Sequence, residues 1–367
     1  MNYIFPLAFL FNNFAVTALM IAMGLVGKSH LAADIGIVQG ATMALFYSFS
    51  ANARSMILNP QMRSLTRSFV LVRLLLIAPL GLASFYLSIF IADTGWILAL
   101  AIILRRSVEW ISEIHLSDME FNDDRGSAVR FVAIQAILLL IASGCLLIDT
   151  RVATFGLFAW ASLPLILSAR FIREQFKSVG KFRMEWNQLL PHFGSTAIIG
   201  ITVYVFRLLI VIFAGKAEAG DLYTAFAIGG SVGSVFAQAL GPSISLHEER
   251  IGKAYFPRHI KIFLCLFFTI GTILFLAVYF NPDISAISGK SAFFWKALGL
   301  SMMGGGVMLY AQAIRFRLLQ RFGKNDLFGP DLLMNILMLA GIPYLFNLAG
   351  KNALTTLYLM NAVFAYS

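Results

Sequence analysis

From residue 4 to residue 367 the chain is a succession of apolar runs separated by short polar segments. A run of about twenty such residues matches the hydrocarbon thickness of a bilayer, where a helix can satisfy all of its own backbone polar groups. This pattern constrains the chain to an all-α, polytopic membrane fold before any single side chain is weighed. The runs cover residues 4–26, 35–57, 69–92, 96–116, 129–148 and 154–172, then 191–214, 221–242, 261–280, 293–314, 332–348 and 353–367. They predict about twelve transmembrane helices, the last of them short. With 59% hydrophobic and 13% charged residues, nothing is left over for a sizeable soluble domain. The first run lacks a basic leader and a small-residue cleavage site, so it reads as a retained helix.

A net charge of +10 would suit nucleic acid if it were clustered, but its distribution assigns it to topology instead. With the amino terminus in the cytoplasm, only Lys28, Arg151, Lys216, Lys290 and Lys351 fall outside. Arg73, Arg105, Arg106, Arg207 and Lys296 lie within or at the ends of spans, which leaves 18 of the 28 basic residues on the inner side. That excess is the positive-inside pattern. A basic interior that draws in an anionic substrate is the second reading of the same charge.

The longest connection, residues 173–190, carries Phe176, Val179, Phe182 and Trp186 at near-helical spacing among Arg173, Lys177, Lys181 and Arg183. A basic amphipathic helix on anionic inner-leaflet lipids accounts for both features, and a plain solvated linker is the other reading. The link divides the chain into an N-terminal six-helix lobe, 1–172, and a C-terminal one, 191–367. Gly27-Lys28 followed by Asp34 resembles Gly215-Lys216 followed by Asp221, and from Asp34 onward the second helix lies over the eighth without gaps. Both halves start from the same side, so the pseudo-repeat is parallel, about an axis along the membrane normal.

Arg207 sits in an apolar helix with no acid within one turn, where an ionisable side chain is costly and faces a cavity or a partner. Helix rise puts Arg207 in the outer half, Arg105 and Arg106 near the midplane, and Arg54 near the inner mouth. Three depths of positive charge would form a ladder for a crossing anion. Arg54 can equally snorkel to headgroups, and Arg105 and Arg106 can be neutralised by Glu109 and Glu113 on their own helix. Asn12, Asn13, Gln39, Tyr204 and Gln238 add hydrogen-bonding groups, which also commonly join membrane helices. Gly229, Gly230 and Gly233 form a small-residue face for close packing or bending, and Gly304, Gly305 and Gly306 invite a hinge or an unwound segment.

Enzyme signals are weak: there is no nucleotide-binding glycine loop, no HExxH and no nucleophile elbow. His115 with Asp118 reads as a polar pair at the membrane surface. Cys145 and Cys265 fall inside spans, so neither a disulfide nor a metal or other cofactor is expected.

The stretch Arg207-Leu208-Leu209, Gly215, Gly220-Asp221-Leu222-Tyr223 and the Ala-Gln-Ala-Leu-Gly-Pro run from Ala237 to Pro242 resembles the Wzx-type lipid-linked oligosaccharide flippases. These belong to the multidrug/oligosaccharidyl-lipid/polysaccharide (MOP) superfamily. The arginine-and-glutamate helix from Arg105 to Glu113 and the six-plus-six layout are similar too. Phe206 departs from the pattern, where relatives often carry an acidic or polar residue, and the carboxyl end lacks the later helices of longer members. The resemblance implies two lobes alternating around a central cationic cavity in a bacterial inner membrane. The cargo would be an oligosaccharide on a polyprenyl diphosphate, flipped to the outer leaflet for surface polysaccharide such as O-antigen or exopolysaccharide. Arg207 and Arg54 would hold the diphosphate, with Arg105, Arg106, Tyr204, Asn12 and Gln238 as further contacts. Glu109 and Glu113 would couple a proton or cation, and a polysaccharide polymerase and glycosyltransferases would be partners. Two other classes stand beside it. A multidrug antiporter would display acids, and a membrane polymerase or acyltransferase would need a positioned acid/base group.

Overall fold

The computed structural model describes residues 4–50, 53–58, 63–148, 150–177, 186–235, 258–281, 289–322 and 328–366, and among these there is no strand. The helices are α1 Ile4–Leu25, α2 Ser29–Phe46, α3 Ala53–Ile57, α4 Thr66–Tyr86, α5 Trp96–Phe121, α6 Arg125–Ile148 and α7 Thr150–Ser162. They continue with α8 Pro164–Lys177, α9 Trp186–Ala214, α10 Lys216–Val235, α11 Arg258–Phe280, α12 Ala292–Phe322, α13 Phe328–Ala349 and α14 Leu357–Tyr366. Nine spans among the described residues are long and apolar enough to cross a bilayer. Leu75, Leu82, Phe90, Leu140 and Phe155 stand exposed on them, as do Ile273, Phe280 and Leu333. So much exposed apolar surface is tolerable against acyl chains and not against water. The chain is an all-α integral membrane protein.

Among the described residues, three expected spans are interrupted. The run 35–57 is α2, a 3-10 turn at Tyr47–Phe49 and the short α3. The run 154–172 is split between α7 and α8, because Pro164 has no N–H to donate and opens a new helix. The last run begins as a 3-10 turn, Gly350–Thr356, where Thr355 and Thr356 return their hydroxyls to the carbonyls of Asn352 and Ala353 at 2.7 Å each.

The α1–α2 and α9–α10 turns solve the same problem in related ways. Gly27 has φ +86° and Gly215 has φ +88°, the left-handed conformation that ends a helix at little cost to glycine. At the first turn Lys28 N–H bonds the Met23 carbonyl at 2.9 Å and Gly27 N–H that of Gly24 at 3.2 Å, a Schellman ending. At the second, Gly215 N–H bonds Val211 at 2.9 Å, the simpler αL ending. The sequence match between the two turns is thus also a match in backbone conformation.

The chain forms two compact units, residues 1–19 with 37–204, and residues 20–36 with 205–367. These do not follow the expected lobes 1–172 and 191–367: the tip of the α1–α2 hairpin groups with the C-terminal residues, and the first part of α9 with the N-terminal ones. Helices α1, α2 and α9 pass from one unit into the other. Of the 173–190 link, residues 178–185 lie outside the described residues; Arg173, Phe176 and Lys177 belong to the end of α8.

In the first unit α5 is the central helix. Its apolar residues join three clusters: Ile114 with Ala53, Phe69, Val70 and Phe171; Leu116 and Met119 with Phe5, Phe9 and Phe131; Trp110 with Phe46 and Leu80. In the second unit α12 packs on α10, α11 and α14. Glycines take part in all three crossings. A Cβ on Gly229 would stand 2.3 Å from the Ser301 carbonyl oxygen and one on Gly305 2.2 Å from that of Gly229, while Gly271 and Gly299 face each other at 2.7 and 2.8 Å. Only hydrogen fits where backbones come this close. The expected unwound segment at Gly304–Gly306 is therefore corrected: α12 runs through all three as helix, since Gly304 and Gly305 lose backbone entropy but gain contacts with α14 and α10.

Candidate functional site

In the second unit, Arg207 projects from α9 and its guanidinium donates to the carbonyl oxygen of Gly36 in α2. It lies 5.6 Å above the ring of Tyr223, whose hydroxyl donates to the Arg207 carbonyl. Gly36 makes the arrangement possible, since a Cβ there would meet that ring at 2.5 Å. A half-buried guanidinium is thus held by a backbone oxygen and an aromatic face. Both are neutral partners.

The two turns carry ion pairs in the same unit. Lys216 Nζ, from the start of α10, is 2.9 Å from Asp34 Oδ1 in α2. Asp221 Oδ1 accepts from Ser29 Oγ at 2.6 Å and Lys290 Nζ at 2.7 Å, and the same ammonium reaches Ser29 Oγ at 3.1 Å. Gly289, with φ +68°, turns the chain just before Lys290.

Nearby in sequence, Glu218 Oε1 is 2.6 Å from Lys351 Nζ. That hydrogen bond holds the Glu218 carboxyl below its ordinary value, against the opposing effect of burial. A depressed folded value means that the pair contributes stability above the ordinary carboxylate range, and that the contribution is lost as pH falls through the lowered value. Lys351 is exposed and Glu218 half-buried, so solvent screening keeps the pair below about 1 kcal/mol. Thermal unfolding of E218Q should accordingly lie slightly below that of the wild-type protein at pH 7. The difference should close in acid; a difference that persists there would show that charge is not its cause.

In the first unit, basic side chains gather on and around α5. Arg105 Nε is 2.9 Å from Glu109 Oε1 and Arg106 Nη1 is 3.0 Å from Glu109 Oε2, so one carboxylate serves two guanidiniums. This is the pairing that i,i+3 and i,i+4 spacing allows. Arg105 is 0% exposed, reaches the Trp160 carbonyl at 3.4 Å and lies over that indole, while Arg106 keeps 13% of its side-chain surface. Asn12 donates to the Glu109 carbonyl at 3.0 Å and to Asn13 at 3.1 Å, tying α1 to α5.

Glu113 does not serve Arg105 or Arg106. It is 2.8 Å from Arg73 of α4, a buried residue that also donates to the carbonyls of Trp110 and, at 3.2 Å, Ser50. Trp110 Nε1 closes the network on Ser50 Oγ at 3.0 Å. Sequence reasoning left Arg73 without a role, because its partners are on other helices. The available signal was the second acid on α5, one more than its own arginines require geometrically.

Arg54 grips Glu120 through Nε and Nη2, each at 2.9 Å, with its guanidinium 4.0 Å from the Phe9 ring. Tyr204 donates to the Leu87 carbonyl at 3.0 Å, and Gln39 to Thr17 at 2.6 Å. His115 and Asp118 do not form a pair: His115 Nδ1 is 3.1 Å from Ser168 Oγ and stacks on Phe171, whereas Asp118 is 3.5 Å from Arg63. Gln238 lies outside the described residues, and Gly233 is described only as part of α10.

No protein-family profile matches the chain, and no curated protein matches it. Solved structures do. The crystal structure of a eukaryotic MATE transporter, AtDTX14, aligns with TM-score 0.56 at 14% identity, over 99% of this chain and 93% of that one. An inward-facing multidrug resistance MATE family transporter of the MOP superfamily aligns with TM-score 0.50 at 12% identity, over 98% and 93%. At such identities the likeness establishes fold alone, and the fold of this chain is the one it shares with these two MATE transporters.

Proposed function

We propose that the protein is a flippase that carries a polyprenyl-diphosphate-linked oligosaccharide from the inner to the outer leaflet of a bacterial inner membrane, its amino terminus cytoplasmic. The observation that carries this reading is the charge balance of the described membrane helices. Glu109 is shared by Arg105 and Arg106 and Glu113 is taken by Arg73, so three guanidiniums on and around α5 meet two carboxylates. Positive charge is in excess, and these two carboxylates are already engaged by guanidinium. An anionic headgroup complements such an interior. Arginine also suits it geometrically, through parallel hydrogen bonds to two phosphate oxygens.

In this mechanism Arg207 and Arg54 exchange their present partners, the Gly36 carbonyl and Glu120, for diphosphate oxygens. For Arg207 the exchange replaces a neutral acceptor by a charged one, and charge-assisted hydrogen bonds are about twice as strong. Arg105 is fully buried and acts by holding Glu109, while Arg106, Tyr204 and Asn12 are the further polar groups of this reading. The two halves of the chain alternate, the lipid tail staying in the bilayer, and the glycines at Gly229, Gly230, Gly304 and Gly305 let α10, α12 and α14 shift against one another within the second unit. Glu109 and Glu113 are the groups through which a proton or cation would couple. Anionic lipids at the 173–190 link, a polymerase and glycosyltransferases are the partners this role requires.

R207Q, in a cell whose surface polysaccharide depends on this chain, is expected to reduce export at least about tenfold, one lost charge-assisted contact, while folded protein stays in the membrane. Lipid-linked glycan should accumulate on the cytoplasmic side. R207K keeps the charge and a donor for Gly36 but not the planar fork, and should fall between. Normal export by R207Q would refute the assignment. One structural neighbour is a multidrug resistance transporter. Efflux of a cationic dye by the purified chain in vesicles, with no glycan defect on deletion, would favour that second reading.

A further inference from the structure

We propose that Asp34–Lys216 and Asp221–Ser29–Lys290 form an ionic latch that fastens the α1–α2 turn to α10 and must break before that end of the helices can part. The first observation is connectivity. Residues 20–36 belong to the second unit, yet the helices that carry them, α1 and α2, have the rest of their length in the first. The tip thus groups with α10 and not with the remaining length of its own two helices.

The second observation is the placement of the charges. Asp34 and Asp221 are equivalent positions of the two matching turns, each following a glycine of positive φ and a lysine. Lys216, from one turn, neutralises the acid of the other at 2.9 Å. Asp221 is held by Ser29 of the first turn at 2.6 Å and by Lys290, itself largely buried, at 2.7 Å. Each acid therefore fastens one hairpin to the other, and Lys290 brings in the segment before α12.

The third observation is how closely the backbones approach beneath these pairs. A Cβ on Gly220 would fall 1.8 Å from the Ser29 carbonyl oxygen, and one on Gly24 would fall 1.9 Å from Thr224 Oγ1. The seam is closed by glycine against backbone and a small polar side chain. Small residues let the backbones meet here, and polar ties at this end of the seam add to the closure that packing provides. The bond from Arg207 to the Gly36 carbonyl ties α9 to α2 two residues beyond Asp34.

The test uses the full chain in detergent, with Cys145 and Cys265 changed to alanine and a single reporter, Thr224→Cys, buried against Gly24. N-ethylmaleimide labels it slowly while the seam is closed. K216D and D34K should each accelerate labelling about fivefold, and D34K/K216D should restore it to within about twofold of the parent, as loss and return of one ion pair require. A control reporter, Ser301→Cys, buried between α10 and α12, should be unaffected. Unchanged labelling in the single variants, equal acceleration at both reporters, or no rescue by the swap would each overturn the latch. D34N supplies a near-isosteric variant if the charge reversals do not insert. Because the readout needs no substrate, its failure leaves the transport reading intact, and failure of that reading leaves the latch intact.

Discussion

R73A is expected to lower the stability of the purified protein by about 3 kcal/mol, the lower end of the cost of breaking a buried ion pair, since the Glu113 left behind keeps some access to solvent. Arg73 is 1% exposed and ties α4 to α5 through Glu113, to the Trp110 carbonyl, and to the segment after α2 through Ser50. Deleting it strands the Glu113 carboxylate beside α5 and leaves two backbone acceptors short of a donor. A loss this large exceeds anything expected from the surface pair Arg170–Glu174, whose arginine is 91% exposed. R73M/E113L, which removes both charges and keeps volume, should recover most of the loss, since apolar replacement of a buried pair is often neutral or better. Thermal unfolding in detergent checks both. If R73A is as stable as the parent, the network does not hold α4 and α5 together.

G305A should be among the most damaging single-carbon additions in the second unit, at the upper end of the about 1–3 kcal/mol that overpacking costs. Its Cβ would stand 2.2 Å from the Gly229 carbonyl oxygen, and backbone cannot rotate away as a side chain can. Helices α10 and α12 would have to separate, breaking the bond from Ser301 Oγ to the Ala225 carbonyl at 2.6 Å. G306A, one residue on, supplies the contrast. Its Cβ would meet Phe268 at an ordinary 3.8 Å, so the gain in helix propensity, up to about 1 kcal/mol, should make it neutral or stabilising. Equal effects from the two substitutions would show that helix propensity, and not contact, governs this stretch.

How much was legible in the sequence depended on the distance over which each feature is decided. The Gly27 and Gly215 turns could be matched by eye because helix endings are local, and the structure gives both glycines the same backbone conformation. The Arg105–Arg106–Glu109 group was legible for the same reason, its members lying within one turn of a helix. Arg54 with Glu120, Arg73 with Glu113 and Lys216 with Asp34 were not, because each pair joins helices well separated along the chain. The glycines of α12 were read as a weakness in the helix. In isolation they are, and only the presence of α10 and α14 turns them into contact surfaces.

What the sequence determined by itself was the solvent of this protein and the kind of element it builds. Twenty-residue apolar runs leave the backbone no choice in a bilayer except to bond within each segment. What the tertiary structure decided was which charges share a partner and which helix ends are joined. A span's hydropathy is a sum over neighbours in the chain, whereas an ion pair depends on which face each helix turns inward, and in lipid every outward face is equally apolar.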